Sequence, residues 1–292
     1  MTQHSHDQRH HDHRQQEHRH GSGDVEHDDM GLADLLDLDA DVLGPYLDQV
    51  TDWVGQHAPE APRTVADVGA GTGTGSLALA RRFGTADVVA IDRSDVMLER
   101  LRVTARARGL GDRLRGVRAD LDTGWPAIGT VDVAWAASSL HHVADPDRVL
   151  RDIHGALDSG GLLAVIEMDA LPRFLPDDIG LGRPGLEARC HEAMEAADWN
   201  AHPDWRPHLE RAGFGIAGQR TFSIGTTPAP AGTGRYAHAW LSRVRTALDD
   251  RLAADDLSTL DRLLADEGPD ALLNRHDLTV RGSRTVWAAR RP

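Results

Sequence analysis

The stretch "VADVGAGTGTGSLALA", residues 65–80, sets Asp67 two residues ahead of Gly69, with Gly71 and Gly73 in step behind it. A short apolar run precedes these glycines and an apolar helical pattern follows. Glycine at alternate positions lets the backbone turn sharply and approach a ligand closely. The helix that follows directs free N–H groups at the same place, which favours a carboxylate or a phosphate. A second acidic residue, Asp92, ends the run "DVVAID", where a carboxylate can accept two hydrogen bonds from neighbouring hydroxyls. Further on, "SSLHHV" carries His141 and His142, either of which can take a proton near neutral pH. Glu167 and Asp169 are weaker candidates for the same role. Each residue also has a plainer reading: Asp67 as a turn residue, Asp92 as a helix cap beside Ser94 and Asp95, and the histidines as local packing.

The elements that must position these groups alternate along the chain. Leu32, Leu35, Leu36, Leu43, Leu47, Val50 and Val54 fall near helical spacing and are interrupted at Gly44-Pro45, which predicts two helices over residues 30–60. Strands are expected at "TVADVG", "DVVAID", "LRGVRAD", "VDVAWAA" and "LLAVIEM", with helices at 76–83, 95–108 and 147–158. Apolar strands separated by helices specify an α/β fold with a parallel sheet covered on both faces. Ligands of such sheets sit at the carboxyl ends of the strands, so residues 65–80 line the crevice. Strands near 216–225 and 278–290 follow. Segments 171–212 and 229–276 read as helical insertions that form an acceptor pocket, with Trp199, Trp205, Tyr236 and Trp240 as its aromatic walls or as pins against the sheet.

Two adenosine ligands compete for the glycine turn. A dinucleotide fingerprint G-x-G-x-x-G fails when counted from Gly69 or Gly71, because the sixth positions are Thr74 and Ser76. Only "GTGSLA" from Gly73 meets the looser form.

In frame, "DVGAGTG" resembles the first motif of the class I S-adenosylmethionine-dependent methyltransferases, an acidic residue followed by x-G-x-G-x-G. "VVAIDRSDVML" is similar to their second signature, "RADLDTGWP" to the segment ending the third strand, and residues 131–167 to the fourth strand, helix and fifth strand of the small-molecule branch. "SRTVWAARRP" suits a final antiparallel strand. The resemblance implies a Rossmann-like, doubly wound sheet that binds S-adenosyl-L-methionine. It also implies roles for residues: Asp67 toward the methionyl ammonium, Gly69, Ala70, Gly71 and Gly73 under the aminoacyl chain, and Asp92 with Arg93 at the ribose. Met97, Ala119, Asp120, Leu121 and Ala136 would surround the adenine side. The implied reaction moves a methyl group to the O, N or C atom of a small organic acceptor, with alignment supplying roughly 7–11 kcal/mol of the acceleration.

Composition narrows the partners. The net charge is −14 and every basic residue is Arg, which disfavours nucleic acid. Arg100, Arg102, Arg106, Arg108, Arg113, Arg115 and Arg118 form one candidate patch, read here as a solvated helix face. One cysteine, Cys190, excludes an intramolecular disulfide, and no run reaches the length of a membrane helix. A cytoplasmic enzyme, monomeric or homodimeric and without a resident metal, is expected. Residues 1–29, rich in His and without hydrophobic periodicity, are expected to be a disordered tail with weak affinity for Ni, Cu or Zn. Two other readings stay open: a nicotinamide-dependent oxidoreductase sharing the crevice, and a non-catalytic protein whose tail carries the function.

Overall fold

The computed structural model describes residues 21–197, 204–226 and 228–292. Most of the His-rich segment and Trp199 lie outside the described residues. Seven strands form one sheet in the order β3-β2-β1-β4-β5-β7-β6. They are β1 (Thr64–Val68), β2 (Asp87–Asp92), β3 (Leu114–Arg118), β4 (Val131–Ala137), β5 (Leu157–Arg173), β6 (Gly215–Thr226) and β7 (Val280–Arg290). The first five pair in parallel, and β7 runs antiparallel to both β5 and β6. This is the expected α/β architecture with its antiparallel last strand.

Period-two alternation divides the strand residues between two cores. Val65, Val133, Leu162 and Val286 pack on one face with α2 (Gly44–His57), α3 (Thr74–Arg82) and α8 (Thr233–Ala247). Ala66, Ala134, Leu163 and Trp287 pack on the other, beneath α5 (Pro146–Ala156) and α7 (Trp205–Arg211). The central strands β1, β2, β4 and β5 are buried on both faces, which is why they read as continuous apolar runs. The remaining helices are α1 (Gly21–Val42), α4 (Asp95–Ala107), α6 (Leu186–Glu195) and α9 (Ala254–Leu263). Pro45 in the first turn of α2 has no N–H to extend the preceding helix, so the break expected at Gly44-Pro45 is present.

Three expectations are corrected. Helix α1 begins at Gly21, so residues 21–29 are helical and not part of a tail. Side chains along the rest of α1 fasten it to other elements. Ser94 donates to Asp29 at 2.6 Å, Arg100 pairs with Asp34 and Asp37 at 2.6 and 2.8 Å, and Tyr236 and Arg284 both donate to Asp39. Strand β5 continues past the apolar run to Arg173, because bulges at 168–170 and 170–173 let the Pro-containing segment keep pairing with β7. Trp205 is fully buried in the core beneath α5, on the face opposite Tyr236, so it is no wall of a pocket shared with Tyr236.

The turn after β1 is also fixed from below. Gly73 has φ +88°, and a Cβ there would lie 2.4 Å from Leu101 Cδ1 of α4. We expect Gly73→Ala to destabilise the protein by roughly 2–4 kcal/mol in urea denaturation, from backbone strain plus overpacking. In a Leu101→Ala background the same change should cost about 1 kcal/mol less, and an unchanged cost would show that the contact does not govern the site.

Candidate active site

The glycine turn caps the carboxyl end of β1, where φ is positive at Gly69, Gly71 and Gly73. What fills the space left by the missing Cβ atoms is the protein itself. A Cβ on Gly69 would meet Ser139 Cβ at 2.5 Å, and one on Gly71 would meet Leu36 Cδ1 at 3.0 Å. Ser139 Oγ donates to the Val68 carbonyl at 2.7 Å, which stitches the end of β4 across the end of β1. The glycines expected to make room for a ligand therefore first make room for β4, α4 and α1.

Asp67 lies beneath this turn, 2% exposed. Ser76 Oγ donates to its Oδ2 at 2.6 Å. Desolvation by burial pushes its carboxyl up to about 7, against the Ser76 hydrogen bond and with a smaller push from Asp92. A Cβ on Gly75 would lie 3.1 Å from Asp67 Oδ2 and 3.0 Å from Trp135 Nε1, so this helical glycine admits both groups. Trp135 Nε1 is buried without a hydrogen-bond partner. A cation brought close to a buried carboxylate would offset the cost of ionising it.

Asp92 ends β2 and faces the same turn. Gly71 N–H donates to Asp92 Oδ2 at 2.8 Å, and Ser94 N–H donates to Oδ1 at 2.9 Å. Two bonds leave lone pairs for two further donors, because a carboxylate accepts about four. The plainer reading of Asp92 as a helix cap is not what the geometry shows: Ser94 is the N-cap of α4 and accepts from Met97 N–H.

Strand β4 ends at Ala137, and Ser138 takes φ +50°, the left-handed region that non-glycine residues seldom occupy. The Ser138 N–H bonds to the Ile166 carbonyl at 2.8 Å, which holds the bend against β5. A 3₁₀ turn, Leu140–His142, follows and leaves the two imidazole rings in contact, their centroids 4.0 Å apart. His141 Nδ1 lies 2.8 Å from Oε2 of Glu167, which is 1% exposed. His142 is held down to about 4 by burial, then by His141 and by Arg93. The two histidines thus touch each other but differ in their partners, and the carboxylate that joins His141 comes from β5.

Other expected residues separate in the same way. Met97 is buried yet belongs to neither core cluster, as suits a side chain under the crevice. Ala136 packs inside the core beneath α5, so its side chain is not in the crevice. Ala119 N–H bonds to the Asp92 carbonyl, whereas Asp120 is exposed and turns the chain through Asp122 N–H and Thr123. The Leu121 carbonyl accepts from Arg148, the Arg93 carbonyl accepts from Arg118, and Ala70 N–H bonds to the Ile91 carbonyl. Asp169 is exposed. Within the basic patch, Arg100 pairs with α1, Arg102 with Glu99 and Arg118 with Asp95, and Arg113 donates to the carbonyls of Ala80, Phe83 and Ala86. Ser76 and Ser139 are the functional neighbours that sequence reasoning missed, whereas Ser94 was read as a helix-cap residue and is one. Hydroxyls placed just after the glycine turn and β4 were the available signal.

This arrangement, two carboxylates converging on a glycine turn at the carboxyl edge of a 3-2-1-4-5-7-6 sheet, defines a class I methyltransferase fold. Residues 65–161 match the model of the methyltransferase domain family. The chain is 38% identical over 149 residues to trans-aconitate 2-methyltransferase of Methylobacterium radiotolerans, covering 47% of this chain and 55% of that one. It is 32% identical over 145 residues to the enzyme of the same name from Pseudomonas aeruginosa, covering 46% and 50%. The matches thus span about half the length of these curated relatives. A crystal structure from Bacillus halodurans, described as a candidate methyltransferase, superimposes with a TM-score of 0.53 at 18% identity, covering 83% of this chain and 98% of that one, and shares the fold.

The buried Asp67 carries a stability signature. Its folded pKa is raised above the unfolded value, so its relative stabilisation is present below about pH 4 and is lost as pH rises through about 7. Asp67→Asn should therefore gain stability over the wild type between pH 5 and pH 8, by roughly 2–4 kcal/mol. Parallel unfolding curves at the two pH values check this, and a constant difference would contradict the buried, uncompensated carboxylate.

Proposed function

We propose that the chain is an S-adenosylmethionine-dependent methyltransferase that acts on a small organic acceptor. The observation that carries the reading is the Asp92 carboxylate, held by Gly71 and Ser94 N–H at the mouth of the turn under which Asp67 is buried. The fit with the donor is chemical. Asp67 offers a cation seat to the methionyl ammonium, Asp92 offers its remaining lone pairs to the ribose hydroxyls, and Met97 and the 119–121 segment flank the base. When bound, the sulfonium supplies an electrophilic methyl carbon. A pyrophosphate would instead bring negative charge onto two carboxylates, which disfavours the nicotinamide reading. No helix among the described residues is long and apolar enough to cross a membrane.

The chain's own part is alignment and proton removal. With His141 Nδ1 2.8 Å from Glu167 Oε2, an ionised Glu167 accepts an Nδ1–H and leaves Nε2 as the basic atom. Glu167 is a positioning residue, since it acts through the imidazole. Burial holds His142 down to about 4, and His141 is the one oriented by a carboxylate, so His141 is assigned to deprotonate a hydroxyl or amine acceptor.

Two experiments test this. Asp92→Ala should abolish donor binding in calorimetry while the circular dichroism spectrum stays native, and unchanged affinity in the folded variant overturns the assignment. With donor-loaded protein and a metabolite extract, products heavier by one methylene should form. His141→Ala should slow their formation by roughly 10²–10⁴-fold with donor affinity intact. His142→Ala should lose far less, and equal turnover in all three proteins removes the base.

A further inference from the structure

Helix α1 touches both residues whose N–H groups hold Asp92. Leu36 Cδ1 stands 3.0 Å from where a Cβ on Gly71 would lie, and Asp29 Oδ2 accepts the Ser94 hydroxyl at 2.6 Å. Gly71 and Ser94 are the two donors to the Asp92 carboxylate. A ligand that takes up the remaining lone pairs of Asp92 therefore has α1 for a neighbour.

The helix is held unevenly along its length. Between Asp29 and Asp37 its polar contacts run to α4: the Ser94 bond, and Arg100 with Asp34 at 2.6 Å and with Asp37 at 2.8 Å. All three charged side chains of the Arg100 pairs are in contact with solvent, the aspartates being 66% and 50% exposed. The buried apolar side chains of this stretch are Ala33 and Leu35. From Asp39 onward the grip tightens. Tyr236 and Arg284 both donate to Asp39, and Val42, Leu43, Tyr46 and Val50 are buried behind it. Exposed ion pairs are weak and salt screens them, whereas the buried apolar contacts of the carboxyl end are indifferent to salt. The α1–α4 contact is thus the one that can open while the rest of the helix stays seated.

We propose that the Asp29–Asp37 stretch of α1 is a lid on the donor crevice, latched to α4 through Arg100, and that release of this latch sets how fast the donor and its demethylated product exchange. The identity of the ligand rests on the methyltransferase reading. A latch that closes equally over the empty and the filled crevice gates traffic in both directions, so weakening it raises the association and dissociation rates together and leaves affinity nearly constant. A side chain that binds the ligand would change the affinity instead.

The probe is S-adenosylhomocysteine, mixed with the full chain in stopped-flow fluorescence at about 0.05 M and about 0.5 M sodium chloride. Arg100→Gln, and separately Asp34→Asn with Asp37→Asn, should raise both rate constants roughly threefold to tenfold at the lower salt, with Kd within about twofold of the wild type. The higher salt should accelerate the wild type in the same way and leave Arg100→Gln unmoved. Arg102→Gln, which breaks only a pair with Glu99 inside α4, is the control and should behave as the wild type does. In the ligand-free protein, amide hydrogen exchange over residues 29–38 should quicken by the same factor in Arg100→Gln while α2 exchanges as before. The proposal is overturned if both latch variants exchange ligand at the wild-type rate, if the dissociation rate rises alone and affinity falls with it, or if hydrogen exchange over residues 29–38 is unaltered. If S-adenosylhomocysteine does not bind the wild type, the methyltransferase reading fails, and the hydrogen exchange of the ligand-free protein decides the latch.

Discussion

Two backbone N–H groups, from Gly71 and Ser94, converge on the carboxylate of Asp92 and tie the turn after β1 to the turn after β2. That tie makes a crevice out of two adjacent strand ends. The glycine turn can lie low enough to meet Asp92 only because three Cβ atoms are missing, and the space they would occupy is filled by Ser139, Leu36 and Leu101. Asp67 then lies under a turn that cannot rise to admit water without breaking the tie. Its unfavourable burial follows from the same geometry that holds Asp92 in place, so one constraint produces both polar features of the site.

The sheet and the crevice could be read from the sequence because both depend on local signals. Apolar strand runs, the frame of Gly69, Gly71 and Gly73, and the carboxylate ending "DVVAID" need no long-range contact to be recognised. The rest depends on pairings between distant residues. Glu167 meets His141 only because β4 and β5 are adjacent, and nothing in "SSLHHV" says which histidine turns toward β5. Residues 21–29 carry Gly, Asp and His in place of an apolar stripe, yet they are helical. What holds the helix to the domain is external: an Asp29–Ser94 bond, the pairs to Arg100 and the shared contacts of Asp39. Tertiary contacts override weak local propensity there. Trp205 stayed open between pocket wall and pin for a related reason, since an aromatic in a connecting segment does not declare which face of the sheet it joins; it is a pin.

The polar contacts of α1 differ in weight. The Arg100 pairs with Asp34 and Asp37 are solvent-exposed and contribute little each. The Asp39 contacts are deeper, because Arg284 is largely withdrawn from water and Tyr236 is 2% exposed. Helix α1 is therefore anchored mainly at its carboxyl end, beside β7 and α8, and more loosely along α4. The looser stretch is the one that lies over the glycine turn, where Leu36 meets Gly71.

Ser138 is held at φ +50° between β4 and the histidine turn by a hydrogen bond to the Ile166 carbonyl. A glycine in its place would relax that backbone but would also let the 3₁₀ turn sample other directions. Strain at this residue thus works as aim: it costs folding energy at a point where most substitutions that relieve it would scatter His141 away from Glu167. Relief of backbone strain and retention of the His141–Glu167 geometry therefore compete at a single dihedral angle, so selection for heat resistance alone would act against that pairing first.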